Sequence, residues 1–378
     1  MQATPGPLSP PPAAEARNGL GMLLTLVGLL NLVGLVMVLS ASSVDSIRAY
    51  GTPWHWFGRE VMWLAAGGVA FAVAMGVDYH RWRALARPAM AVSFAALVAV
   101  LVPGVGVSVS GASRWLGVSS LQLQPSEFAK LALVLFAADL LDRRAGRRRW
   151  LYRIGPVLAA VFGLVVLVML QPDMGTSLVL AVIALAVLFA AGCPLPALIG
   201  FVTTAAASAV VLAMAAPYRW ARMTSFLNPM ADPSNTGYQE VQSLVSMGTG
   251  GLLGQGLGSS ISSWGWLPNQ QTDFIFAVVA EETGLVGSLV VVGLFVALTA
   301  VGVRIACRAS DRFGALLAAG ITAWLAVQAV VNIGAVVGLL PVTGVPLPFV
   351  SYGGSSLVFS LFAVGVLASV ARSPAGRR

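Results

Sequence analysis

The chain has 378 residues, 58% of them hydrophobic and 10% charged, with a mean hydropathy of +0.86. An average soluble domain carries about 25% charged residues, so the polar surface needed to enclose this much apolar material in water is missing. A soluble globular enzyme, a disordered chain and a nucleic-acid-binding domain are excluded, and an all-α polytopic membrane protein remains. The formal net charge of +8 rests on 22 basic residues, all Arg except Lys130. They sit in short loops between apolar runs, which is a positive-inside pattern and not a nucleic-acid surface.

Residues 1–18, with Pro5, Pro7 and Pro10 to Pro12, read as a disordered cytoplasmic tail. A helix needs about 20 apolar residues to cross a bilayer core. Runs near 19–42, 58–77, 88–104, 125–142, 154–170, 174–191, 196–215, 274–302, 313–336 and 354–371 predict ten spans in a membrane domain covering 19–372, followed by a cytoplasmic tail at 373–378. Sixteen basic residues fall on one face of that plan: Arg17, Arg81, Arg83, Arg87, Arg143, Arg144, Arg147 to Arg149, Arg153, Arg304, Arg308, Arg312, Arg372, Arg377 and Arg378. Six fall on the other: Arg48, Arg59, Arg114, Lys130, Arg219 and Arg222. The bias places both termini in the cytoplasm. Cys193 and Cys307 are far apart and only His55 and His80 accompany them, so neither a disulfide framework nor a Cys/His metal site is expected.

Two outer segments interrupt the plan, 105–127 and the large loop 216–273 between the seventh and eighth spans. Long polar loops in compact bundles usually carry function. Within the second, Tyr238, Val241, Leu244 or Val245, and Leu252 trace an apolar helical stripe, followed by Gly248, Gly250, Gly251, Gly254, Gly256 and Gly258. This predicts an interfacial or re-entrant helix and then a glycine-rich strap. Pro341, Pro346 and Pro348 break the segment between the last two spans. Irregular backbone at that depth must line a cavity or be covered by protein.

Charges at membrane depth default to function. Asp139 and Asp142, beside Arg143 and Arg144, read as interfacial ion pairs. Asp173 in QPDMGTS reads as a helix cap. Asp273 stands in LPNQQTDFIFAVVAEETG, where a polar outer loop becomes an apolar helix. A carboxylate there suits either a general base or an N-cap. Glu281 follows on roughly the same helical face, and Glu281 or Glu282 is expected to pair with Lys130 or an Arg. GASRWLG sets Arg114 beside Trp115, a pairing suited to a phosphate-bearing lipid or sugar or to an aromatic belt with a snorkelling Arg. Lys130, the lone Lys, sits three residues after Glu127 inside an apolar run and calls for an acid or a substrate phosphate.

The motifs GASRWLG, LQPSEFAKLALVLFAADLL, QPDMGTSL, NPMADPSNTGYQEVQSLVSMGTGGLLGQGLG, LPNQQTDFIFAVVAEETGLVG and LLPVTGVPLPFVSYGGSSL occur in this order. Together they resemble the SEDS family of bacterial cell-wall polymerases. VLSASSV, NPMADPSNTGYQ and QGLGSS point to its FtsW branch, while GVPLPFVSYGG is shared with the RodA branch. The resemblance implies a ten-span glycosyltransferase that polymerises lipid II, the undecaprenyl-pyrophosphate disaccharide-pentapeptide, at the division septum of the bacterial inner membrane. It implies Asp273 as the essential carboxylate, with Trp115, Arg114 and Lys130 at the substrate; Glu127 and Glu281, singled out above by their position, complete the expected substrate-binding set. The implied partners are a class B penicillin-binding protein, other divisome proteins and membrane lipids, with a divalent cation (Mg or Mn) on the pyrophosphate as the one cofactor to consider. Many members read HTDF where this chain has Gln271, so no histidine role carries over. An elongation-type polymerase, a lipid II flippase with its broken helices and a non-catalytic scaffold are the alternative readings.

Overall fold

The structure, a computed structural model, describes residues 13–109, 112–118, 121–146, 150–214, 220 and 224–373. Most of the expected N-terminal tail, the last five residues, Arg147 to Arg149, Arg219 and Arg222 lie outside the described residues.

Eleven α-helices follow in order among the described residues: α1 (Ala13–Tyr50), α2 (His55–Gly76), α3 (Tyr79–Leu101), α4 (Pro125–Arg143), α5 (Trp150–Leu170), α6 (Met174–Ala190), α7 (Leu195–Met214), α8 (Tyr238–Gly250), α9 (Ile275–Arg308), α10 (Arg312–Val336) and α11 (Gly354–Arg372). Within them, α2, α3, α9, α10, α11 and the described parts of α1 and α5 give seven helices long and apolar enough to cross a membrane. α6 and α7 contribute shorter apolar helices. α4 carries Glu127, Lys130, Asp139 and Asp142, and it is nonetheless buried along most of its length. It packs against α3, α5, α6 and α10, so protein and not lipid surrounds its charges. The chain is thus an all-α, multi-pass membrane protein.

The helix ends sort into an arginine-rich end and a loop-rich end. At the former, Asp139 accepts from Arg83 Nε and Arg143 Nε, both at 2.6 Å, and Asp142 lies 2.8 Å from Arg83. The two aspartates are interfacial ion-pair partners as the sequence predicts, with Arg83 of α3 added. Asp78 and Asp311 cap α3 and α10 there through backbone N–H groups of His80 and Gly314.

At the loop-rich end, the segment after α3 forms three short antiparallel strands: β1 (Val107–Val109), β2 (Ala112–Val118) and β3 (Leu121–Leu123). Trp115 lies opposite Val107, and Leu116 opposite Leu123. Pro125 then starts α4 at a position where the missing N–H has no cost. α8 is the helix expected inside the large loop. Its inward face is Glu240, Ser243, Ser246 and Gly250, while Leu244, Val245 and the following Leu252 and Leu253 are exposed. The Leu244 and Val245 part of the apolar stripe therefore points away from the protein, while Tyr238 and Val241 are partly buried.

The run 274–302 is one apolar stretch in sequence but two helices in space. Gly284 of α9 has φ 70° and ψ −166°, a conformation open essentially to glycine alone. The break frees backbone groups, and the strap after α8 takes them up. Gln255 and Gly256 donate to the carbonyls of Glu281 and Glu282 at 2.9 and 3.1 Å, and Leu285 and Val286 donate to Gly251 and Leu252 at 2.9 and 3.2 Å. A Cβ on Gly284 would lie 2.4 Å from the Gly254 nitrogen, so the close approach also requires glycine.

Candidate active site

Asp273 is held by a turn in which every neighbour has a fixed partner. Asn269 adopts the left-handed region, φ 57°, which Asn tolerates better than most residues. Its carbonyl collects the N–H groups of Thr272, Asp273 and Phe274 at 3.1, 3.1 and 3.3 Å. Buried Gln270 ties the turn to α1, donating to Ala41 O at 3.0 Å and Asp45 Oδ2 at 3.2 Å. Gln271 and Thr272 accept at their carbonyls from Tyr352 N–H at 2.8 Å and Ser351 Oγ at 2.5 Å. Asp273 accepts at its own carbonyl from Asn332 Nδ2 at 2.8 Å. From this turn the buried half-helix Ile275 to Glu282 runs to the break at Gly284. The Asp273 carboxylate is half-buried, and its Oδ2 would lie 3.7 Å from a Cβ placed on Gly344. Asp273 directly precedes Phe274, the N-cap residue of α9.

Two amides one helical turn apart on α10 brace the Pro-rich segment against this turn. Asn332 Nδ2 also donates to Val345 O at 2.8 Å, and Gln328 Nε2 donates to Pro346 O at 3.0 Å. Gln328 Oε1 in turn accepts from Lys130 Nζ and Trp324 Nε1, both at 2.8 Å. Lys130 Nζ lies 2.8 Å from Glu127 Oε1 and 2.7 Å from Oε2 and 5.1 Å from the centre of the Trp324 ring. Lys130 and Glu127 are each 1% exposed. The acid that Lys130 needs is thus Glu127, one turn away on the same helix, and not Glu281 or Glu282 as expected. Neither side chain offers a surface to substrate in this arrangement.

Glu281 is likewise 1% exposed. Its carboxylate accepts from Ser260 Oγ at 2.7 Å, Ile261 N–H at 2.8 Å and Ser262 Oγ at 2.6 Å. It organises the end of the large loop instead of facing the opening. Glu282 accepts from Ser40 Oγ of α1 at 2.5 Å.

Arg114 and Trp115, both partly exposed on β2, stand on the same loop-rich end as Asp273. Arg114 Nε donates to Gln171 O at 3.0 Å, and a second guanidinium nitrogen donates to Pro172 O. The next residue, Asp173, caps α6 as the sequence predicts, accepting from Thr176 N–H at 3.0 Å. Gly175 then touches the Pro-rich segment, since a Cβ there would lie 2.4 Å from Val345 and 2.8 Å from Thr343. One continuous line of contacts therefore joins Arg114, the α6 N-terminus, residues 343–347 and Asp273. Trp324, Gln328, Asn332 and Ser351 were absent from the sequence-derived set. Gln328 and Asn332, amides four residues apart in an apolar helix, were the available signal, because such groups need partners.

Tyr352, between α10 and α11, is packed with Trp56 at 5.1 Å between ring centres. Burial pushes its phenol up to about 12, so it stays a neutral hydroxyl at neutral pH. Among the described residues no three His, Cys, Asp or Glu side chains are grouped to hold a metal ion.

Comparison with known proteins agrees with this architecture. The family of FtsW, RodA and SpoVE, described as cell cycle protein, matches residues 21–375. Stage V sporulation protein E of Bacillus subtilis is 42% identical over 93% of this chain and 96% of its own length. The probable peptidoglycan glycosyltransferase FtsW of Trichlorobacter lovleyi is 42% identical over 92% of each chain. Among solved structures, a chain from work on structural coordination of polymerization and crosslinking by a peptidoglycan synthase complex superposes with a TM-score of 0.76 at 31% identity. It covers 93% of this chain and 96% of that one. The rod shape determining protein RodA of Thermus thermophilus gives 0.69 at 29% identity, covering 93% and 95%. The chain belongs to the FtsW/RodA/SpoVE family.

Proposed function

We propose that this family member is a peptidoglycan glycosyltransferase that joins lipid II units into glycan strands, with Asp273 as general base. The observation that carries the reading is the Asp273 turn. A carboxylate is held half-open at the loop-rich end, with every adjacent backbone group locked. The acceptor sugar hydroxyl is a weak nucleophile until a positioned base takes its proton, help worth about 10²–10⁴-fold. As that oxygen attacks the anomeric carbon, the bond to the lipid diphosphate breaks and the diphosphate leaves with the electron pair. Arg114, presenting a planar fork of donors beside Trp115, suits the departing phosphate oxygens and the sugar face. Lys130 and Glu127 serve as positioning residues, because they hold Gln328 and through it the Pro346 carbonyl. Glu281 positions the large loop. No step is routed through a metal ion.

The placement we propose is the bacterial inner membrane, with the arginine-rich end and both termini in the cytoplasm and the site facing outward. Septal rather than lateral synthesis is favoured by the FtsW-like stretches in the sequence, and the proposed partner is a class B penicillin-binding protein that cross-links the strands. The test is polymerisation of purified lipid II by the protein with that partner. Asp273→Ala and Asp273→Asn should fold, bind lipid II and make no glycan. Full-length product from either variant overturns the base assignment. A wild-type protein that moves lipid II across vesicles without forming glycan would favour the flippase reading.

A further inference from the structure

At the arginine-rich end, far from Asp273, α6 and α7 leave an apolar groove of about 440 Å³ between them. Val182, Leu185 and Phe189 of α6 and Leu195, Ile199 and Val202 of α7 line it. Its volume falls in the range of sites for small molecules, about 300–1,000 Å³. Phe189 and Leu195 of that lining flank the turn 191–194, and two cations converge on that turn. Arg153 of α5 and Arg312 of α10 both donate to the single carbonyl of Ala191, the latter at 2.7 Å. Neither makes an ion pair among the described residues, and Arg153 Nε is buried with no hydrogen-bond partner there. Two like charges sharing one carbonyl, with a donor left over, form an uncompensated positive centre. The groove whose lining flanks this turn offers nothing polar except Thr203.

We infer that this groove and its two arginines bind an anionic glycerophospholipid of the adjoining leaflet. One acyl chain lies between α6 and α7, and the headgroup phosphate lies on Arg153 and Arg312. The charge decides the occupant. An apolar helix could cover the groove but would leave both guanidinium groups uncompensated. A zwitterionic lipid brings the same phosphate diester together with an ammonium that cancels its charge and is repelled by the arginines, whereas an anionic lipid supplies the phosphate acceptors with a net negative charge. Basic pockets between membrane helices recognise anionic headgroups on this principle.

The experiment is native mass spectrometry of the detergent-purified protein titrated with phosphatidylglycerol or phosphatidylcholine. The expected result is one retained phosphatidylglycerol, with a preference over phosphatidylcholine on the order of tenfold. Exposed Arg312→Gln should lower that preference several-fold at an unchanged unfolding midpoint, and Arg153→Gln should lower it further. Ala186→Trp, which fills the groove, should abolish retention while both arginines remain. Soluble glycerol phosphate at millimolar concentration should not displace the lipid. Equal binding of the two lipids overturns the inference, as does phosphatidylglycerol binding that survives Arg312→Gln together with Arg153→Gln. Retention in Ala186→Trp, or displacement by glycerol phosphate alone, overturns the seat of the chain in the groove.

Discussion

Replacing Lys130 with Met discriminates a brace from a substrate ligand. Met fills similar space but carries no charge, and Glu127 is left with both oxygens stripped of the ammonium that lies within 2.8 Å of each. At 1% exposure, water cannot replace that partner. Removing one member of a buried pair costs about 3–5 kcal/mol. Gln328 loses a donor too, but its Oε1 keeps Trp324 Nε1 at 2.8 Å, so this loss adds little. At roughly 2 °C per kcal/mol for a large chain, the unfolding midpoint in detergent should fall by on the order of 6–10 °C. Adding Glu127→Met removes the orphaned charge, and replacing both members of a buried pair by apolar groups is often close to neutral. The double variant should therefore recover most of the midpoint, and with it the retention of lipid II on a binding assay. Two results would refute the reasoning. One is a Lys130→Met protein as stable as the parent. The other is a stable double variant that no longer binds lipid II, which would make Lys130 a direct ligand of substrate.

Gly175→Ala would press a methyl to within 2.4 Å of Val345 and 2.8 Å of Thr343. Overpacking of this kind costs about 1–3 kcal/mol, and polymerisation should fall because the displaced segment backs Asp273; unchanged turnover would separate the two. Gly344→Ala meets no clash, its Cβ lying 3.7 Å from Asp273 Oδ2, but the backbone has φ +73°. A strain of about 1–2 kcal/mol should appear as a lowered midpoint, with kcat reduced more than KM. Asp78→Ala removes the cap of α3 and should cost about 1 kcal/mol at neutral pH. The His80 N–H holds the Asp78 carboxyl below the usual aspartate range, so the cap's contribution is present above that ordinary value and fades as pH falls through the lowered one. The deficit of the alanine variant, followed by thermal unfolding, should shrink in acid.

What the sequence made legible was whatever run length and residue chemistry encode without knowledge of neighbours. The apolar runs located the helices, and Asp173 announced its cap through the Pro-Asp-Met-Gly turn. Asp139 and Asp142 announced ion pairs by lying beside arginines. Three features stayed hidden, each because a distant segment decides it. The Gly284 break carries no proline, and a lone glycine in an apolar run is ordinarily tolerated in a helix; the break exists because residues 251–256 satisfy the freed groups. α1 continues to Tyr50, beyond the apolar run that ends near 42, because Ser42 and Ser46 are buried against protein. The partner of Lys130 was misjudged because Glu281 lies on a half-helix whose direction only the break sets. For the candidate site, Asp273 stood out by its position, whereas the amides that fix it gave no more than the oddity of Gln and Asn inside a buried helix.

The arrangement around that half-helix joins the large loop and the Asp273 turn into one mechanical unit. Residues Ile275 to Glu282 are all buried, so this segment cannot shift without repacking the bundle, whose interior has crystal-like density. At one end the strap hydrogen-bonds across the break, and Glu281 gathers three donors from residues 260–262. At the other end Asn269, Asn332, Ser351 and Tyr352 fix the carbonyls and N–H groups on either side of Asp273. A base that must meet a sugar hydroxyl within hydrogen-bond reach gains from such fixation, because a misplacement of about 1 Å costs on the order of 10²-fold. The buried carboxylates of Glu127 and Glu281 thus have a place in the proposed reaction without touching substrate: they hold still the frame that carries the half-buried Asp273.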